Sequence, residues 1–161
     1  MPTINCMAVL DQVPIVMISM SRWDGDFSST SWSLAKTFAA DRPVIYVDYP
    51  YTWTEFARKR THPSVIKRRE ALLGKQNGLV QLKEFNKNLY GLTPPMMFPV
   101  NWLSKGKLFQ IASSIRDKTL WKSVKIALKQ LGHENFILFN AFNPLYLSAP
   151  PKDPAVKAVI Y

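Results

Sequence analysis

Three stretches of the chain are predominantly apolar, and each is followed by a polar or proline-containing segment. They are Val13–Met20, Val44–Asp48 and Phe136–Phe139. Runs of this length and kind predict strands buried on both faces, as in a parallel sheet. Between the first two, Leu34, Ala35, Phe38 and Ala39 recur at helical spacing, with Ser28, Ser29 or Thr30 placed to cap the helix. The segment therefore reads as a strand–helix–strand unit. Leu79–Phe85 and Asn88–Leu92 alternate polar and apolar residues around Asn86-Lys87, a pattern for a hairpin or two adjacent strands at a sheet edge. Pro94–Pro99 follows as an extended loop. From Lys107 to Gly132 the period is helical again, with Leu108, Ile111, Ala112 and Ile115 succeeded by Leu120, Val124, Ala127, Leu128 and Leu131. The expectation is two helices, with Asp117 capping a break between them. Ala155–Tyr161 begins one more strand.

Alternating strands and helices make this an α/β sandwich with a mostly parallel sheet. Ligands of such sheets sit beyond the carboxyl ends of the strands. Attention therefore falls on three loops, Ser21–Ser29, Asp48–Trp53 and Asn140–Pro144.

Composition narrows the class. A chain of 161 residues that is 47% hydrophobic and contains only 6 glycines is neither disordered nor collagen-like. Its length suits one domain. No apolar run approaches the ~20 residues that cross a bilayer. The first 20 residues hold no Lys or Arg, and Asp11 interrupts their apolar stretch, so no export signal is read. Cys6 is the only cysteine, which excludes an internal disulfide and a cysteine metal cluster and fits a reducing cytoplasm. The net charge of +10 is uneven: residues 1–57 carry 3 basic and 6 acidic side chains, and residues 58–161 carry 18 and 5. Such asymmetry implies an anionic partner.

The candidate chemistry lies in the loops and the basic regions. Arg22-Trp23-Asp24-Gly25-Asp26-Phe27-Ser28-Ser29 has too few glycines to cradle a pyrophosphate, although Asp48 stands where a ribose would be read. Two carboxylates, Asp24 and Asp26, before a helix either are solvated loop acids or receive a hydroxyl-rich ligand, one of them serving as a general base. Asn140 and Asn143 either bind a polyol or serve turn chemistry. His62 and His133 have no partner at metal or catalytic spacing and read as structural. No Gly-x-Ser-x-Gly elbow is present, which argues against a serine hydrolase. A basic excursion over residues 58–75, containing Arg58, Arg60, Lys67 and Arg69, is expected to be mobile or superficial. Lys118, Lys122, Lys125 and Lys129 share one helix face, which is either simply solvated or, combined with the excursion, forms a surface that rests on anionic lipid.

Taken in order, Arg22-Trp23-Asp24, Ser28-Ser29-Thr30, Tyr46-Val47-Asp48 with Pro50, Pro94-Pro95 with Pro99 and Asn101-Trp102, and Phe139–Pro144 resemble the N-terminal half of bacterial GT-B glycosyltransferases similar to those of teichuronic acid and related surface-polysaccharide synthesis. The resemblance spans nearly the whole chain. It implies a three-layer Rossmann-like domain on the acceptor side, with Asp24 and Asp26 catalytic and Arg22, Trp23, Ser28, Ser29, Asp48, Asn140 and Asn143 around a glycan or lipid-linked acceptor. It also implies metal-independent transfer, no cofactor in this domain, and a nucleotide-sugar donor on a second domain that the 161 residues stop short of. Arg58, Arg60, Lys67, Arg69, Lys122 and Lys125 would face the inner side of the cell membrane, and nucleic acid is not an expected partner. A non-enzymatic α/β module holding an anionic partner is the alternative from another class. The Arg58–Lys75 stretch lacks the interleaved aromatics that nucleic-acid binding favours.

Overall fold

The computed structural model describes residues 13–25, 29–99, 103–104, 106–141, 143 and 152–161. The apolar runs become the centre of a six-stranded sheet. Strand β1 (Ile15–Ser19) is buried at all five positions and β2 (Val44–Val47) at all four. Both are flanked by parallel neighbours, β4 (Leu89–Thr93) beside β2 and β5 (Phe136–Ala141) beside β1. A strand with helices on both sides has no polar face to offer, which is why these runs do not alternate. At the edges, β3 (Gly78–Gln81) pairs antiparallel with β4 as the expected hairpin, and β6 (Val156–Ile160) pairs parallel with β5. The strand order is β3-β4-β2-β1-β5-β6.

The two faces of the sheet are covered by different helices, which gives the three layers. In β5, Phe136 and Phe139 point to opposite faces because their separation is odd. Phe139 meets Phe38 of α1 (Thr30–Phe38) at 5.8 Å, and Phe136 meets Trp121 of α5 (Lys107–Gln130) at 5.4 Å. Helix α1 begins where Ser29 accepts a hydrogen bond from the Trp32 N–H at 3.2 Å, one of the three capping residues expected. It buries Ser31, Trp32 and Ala35 against Tyr46 and its neighbours.

The region 58–75 is mostly exposed, yet much of it is helical and anchored. Helices α2 (Trp53–Arg58), α3 (Pro63–Lys67) and α4 (Arg69–Leu72) occupy it, and Val65 and Leu72 close a second small core with Tyr51 and Met96. His62 caps α3 through Nδ1, a structural role. The basic count hid three buried apolar residues, Val65, Ala71 and Leu72, that anchor the segment, and one of its own members, Arg68, is buried as well.

Helix α5 corrects the expected break at Asp117. It is continuous over 24 residues, since one aspartate in a helix interior costs well under 1 kcal/mol against the packing of the turns beyond it. The two apolar stripes serve different ends: Leu120, Val124, Ala127 and Leu128 are buried, whereas Leu108, Ile111 and Ile115 are exposed. The helix closes through Gly132 at φ 75°, with His133 N–H donating to the Leu128 carbonyl at 2.9 Å and Gly132 N–H to that of Lys129 at 3.1 Å. This is the Schellman pattern, which needs a left-handed residue after the cap.

Candidate functional site at the carboxyl edge of the sheet

The chain leaves β1 toward β2 on one side, and β5 later returns to β1 on the other. The crossover direction therefore reverses between β1 and β5, and ligands of such sheets sit at the carboxyl edge of a reversal of this kind. Beyond the end of β1, on the α1 side, lies a cluster of hydroxyls. Ser21 Oγ lies 2.8 Å from Ser29 Oγ and 3.3 Å from Ser31 Oγ, and it also meets the Tyr46 hydroxyl, to which Ser19 donates at 2.7 Å. Sequence reasoning named Ser29 but missed Ser19, Ser21, Ser31 and Tyr46. Tyr46 looked like core, and its ring is fully buried; only its register opposite Met17, two residues before Ser19 on the same face, brings the phenol to the serines.

Beside the hydroxyls lies an ionic network. Asp48 ends β2 with its side chain out of solvent; it accepts from the Trp23 N–H at 3.0 Å and from the Thr93 hydroxyl at 2.8 Å, and Arg68 Nε stands 3.5 Å away. Burial pushes its carboxyl up to about 6, against the lowering effects of Arg68 and the two hydrogen bonds. Asp48 is thus ionised at neutral pH and protonates on mild acidification. It is shielded from any ligand and acts by holding the Trp23 loop. Arg68 is buried too: its Nε donates to Thr93 at 3.0 Å and its Nη1 to Asp24 at 2.6 Å. Nothing in Lys67-Arg68-Arg69 distinguishes the middle residue, and helical phase in so short an element gives little guidance.

Of the expected site residues, Asp24 reaches solvent, with its side chain 26% exposed and one oxygen on Arg68. Trp23 is half-buried, its indole stacked over β4. A Cβ at Gly91 would come within 2.8 Å of the ring, so a side chain at that position is excluded while Trp23 lies there. A glycine inside a strand pattern is the readable signal of such a close approach. Arg22 is committed to the scaffold, clamping Glu55 bidentately at 2.9 and 2.8 Å and lying 3.5 Å over the Tyr51 ring. Burial, the largest single effect on each, pulls the Arg22 guanidinium down and pushes Glu55 up, but their mutual hydrogen bond and attraction, joined by Tyr51 and Asp48 at Arg22 and by Lys59 at Glu55, together outweigh it and leave Arg22 raised and Glu55 lowered. Asn140 and Asn143 are both buried and bond each other across the turn, and Asn143 Nδ2 donates to the Ser19 carbonyl at 3.0 Å. Turn chemistry occupies these groups. Asp26 and Ser28 lie outside the described residues.

The basic residues separate. Arg58, Arg60, Arg69 and Lys122 are exposed; Lys67 leans over Trp23 at 5.2 Å, and Lys125 pairs with Asp153 at 2.5 Å. Among the described residues no cluster of three metal-ligating side chains occurs, and no helix is long and apolar enough to cross a membrane. No family model matches the chain, and no curated protein or solved structure is significantly similar to it.

Proposed function

We propose that the chain is the acceptor-side domain of a GT-B-type glycosyltransferase, passing a sugar from a nucleotide sugar to a hydroxyl of a glycan or lipid-linked acceptor in surface-polysaccharide synthesis. The observation that carries this reading is that the loop after β1 holds a solvent-reaching carboxylate, Asp24, and also Ser21, which is hydrogen-bonded with Ser29, Ser31 and Tyr46. Hydroxyls that both donate and accept suit a polyol. In this reading the oxygen of Asp24 not held by Arg68 takes the acceptor hydroxyl's proton as that hydroxyl attacks the anomeric carbon, and the bond to the nucleoside diphosphate breaks. The nucleotide sugar sits on a second domain.

The test is nucleoside diphosphate release by the complete reading frame that contains this chain, with a panel of uridine, guanosine, thymidine and adenosine diphosphate sugars and glycolipid acceptors. Asp24→Asn is expected to lower turnover by about 10²–10⁴-fold, the usual contribution of a positioned base, measured below the melting temperature of the variant, which falls because the buried Arg68 loses one of its two carboxylates. Unchanged turnover would remove Asp24 from catalysis. No release with any donor would remove the transferase reading.

The same reading has the domain resting on an anionic membrane, as a lipid-linked acceptor requires. Support comes from α5, whose outer face exposes Leu108, Ile111 and Ile115 and then Lys118 and Lys122, beside the exposed rings of Trp53 and Phe98. Apolar and aromatic side chains adjoining lysines are what an interfacial helix presents. Co-sedimentation should rise with the vesicles' phosphatidylglycerol content and fall in 1 M salt, where screening is short. Ile111→Glu with Ile115→Glu should abolish it; equal binding to neutral vesicles would refute an electrostatic contribution.

A further inference from the structure

Where the hairpin partners Gly78 and Thr93 meet α3 and α4, the protein encloses a cavity of about 150 Å³. Trp23, Lys67, Arg68, Gln76, Asn77 and Thr93 supply its polar and aromatic lining, and no carboxylate faces it. Arg68 is 6% exposed. Its Nε and Nη1 are taken by Thr93, Asp24 and the Ser64 carbonyl, yet its Nη2 has no hydrogen-bond partner among the described residues. A buried guanidinium nitrogen carries two N–H donors and no acceptor, so an unmet one calls for an oxygen.

The charges say which kind. Asp48 and Asp24 meet the guanidinium at Nε and Nη1, and Nη2 is left as the unpartnered nitrogen of a residue that lines the cavity. Lys67, the other cation in the lining, forms no ion pair among the described residues and rests 5.2 Å from the Trp23 ring, on which Arg68 also lies at 4.9 Å. Two cationic donors converge on one indole at the wall of a space much larger than one water requires. Donors of this type make their shortest bonds with charged oxygens.

We propose that this cavity is a binding site for a small oxyanion, a phosphoryl or carboxylate group held between Arg68 Nη2 and Lys67 Nζ. Gln76 and Asn77 border the remaining oxygens. The site does not depend on glycosyl transfer and would stand if that reading failed. Because its walls come from α3, α4 and both hairpin strands, an occupying anion ties the basic segment to the sheet edge.

The experiment follows the indole N–H resonance of Trp23, assigned with Trp23→Phe, in ¹H–¹⁵N spectra of the 161-residue chain. Sodium phosphate and sodium acetate are titrated at constant ionic strength, and phosphatidylglycerol and phosphatidylcholine vesicles are added separately. Phosphate should shift the resonance saturably. Lys67→Glu and Gln76→Glu should each weaken the response at least tenfold, whereas Lys87→Glu, an exposed change of the same charge as Lys67→Glu, should not. A match between acetate and phosphate would make the site general for carboxylates and phosphates. A shift by phosphatidylglycerol vesicles that inorganic phosphate reverses would identify the lipid headgroup as the source. No saturable shift, or equal responses in Lys67→Glu and Lys87→Glu, would overturn the proposal and leave a cavity that holds water only.

Discussion

Replacing Asp48 by Asn isolates the cost of holding a carboxylate at the end of β2. In the folded chain this group titrates at about 6, against 3.8 for the ordinary carboxyl, because burial outweighs the help it receives from Arg68, Trp23 and Thr93. Between those values the folded protein keeps a proton that the unfolded chain has released. Stability from this group is therefore complete below pH ~4, falls as pH rises toward ~6, and stays low above it. A difference of about two units at 1.36 kcal/mol each amounts to roughly 3 kcal/mol. Other carboxylates act oppositely: Glu55 is lowered, so its contribution is complete above its unfolded value and is lost as pH falls through its folded one. The informative quantity is thus the wild-type unfolding free energy minus that of Asp48→Asn, measured by urea denaturation from pH 3.5 to 7.5. The difference should decline by roughly 3 kcal/mol across pH 4–6 and be flat on either side. A difference independent of pH would show that Arg68 fully offsets burial, and the assignment of Asp48 as a strained, near-neutral acid would be wrong.

Two further substitutions test packing and backbone. Gly91→Ala pushes a methyl into the Trp23 indole and should cost about 1–3 kcal/mol, the range for overpacked sites, and Trp23→Leu in the same chain should recover part of it in a double-mutant cycle; additive effects would mean that the ring does not sit over β4. Gly132→Ala puts a side chain at φ 75° and should destabilise by about 1–2 kcal/mol in thermal unfolding, with no change at all refuting the left-handed closure of α5.

What the sequence allowed to be read depended on the range of the interactions involved. β1, β2 and β5 are set by predominantly apolar runs, and their parallel pairing follows from the intervening helix pattern, so the sandwich and its carboxyl-edge loops were legible. The continuity of α5 was not, because the change of stripe at Asp117 reflects a change of environment, from solvent at Ile111 and Ile115 to core at Leu120 and Val124, and periodicity alone does not separate this from a break. At the site, Asp24 and Ser29 were legible as polar groups before a helix. Arg68 and Thr93 were not: their meeting depends on contacts 25 to 45 residues apart in sequence. Asn140 and Asn143 carried a local signal that left two options open, polyol binding and turn chemistry, and their hydrogen bonds are those of the turn.

The serine and tyrosine hydroxyls at the mouth of β1 form a wall with no formal charge. Each member can turn its proton toward either neighbour, so the chain of Ser29, Ser21 and Tyr46 has more than one proton order for one arrangement of heavy atoms. Reversing that order exchanges donors for acceptors among these hydroxyls without moving the backbone and without taking up or releasing a proton. Under the proposed function, an acceptor meeting this wall would be received in more than one orientation and independently of pH, whereas the neighbouring Asp48 network responds to both charge and acidity. One edge of the sheet thus joins an adaptable surface to a titrating support, and the short loop from Ser19 to Trp23 is what mechanically links the two.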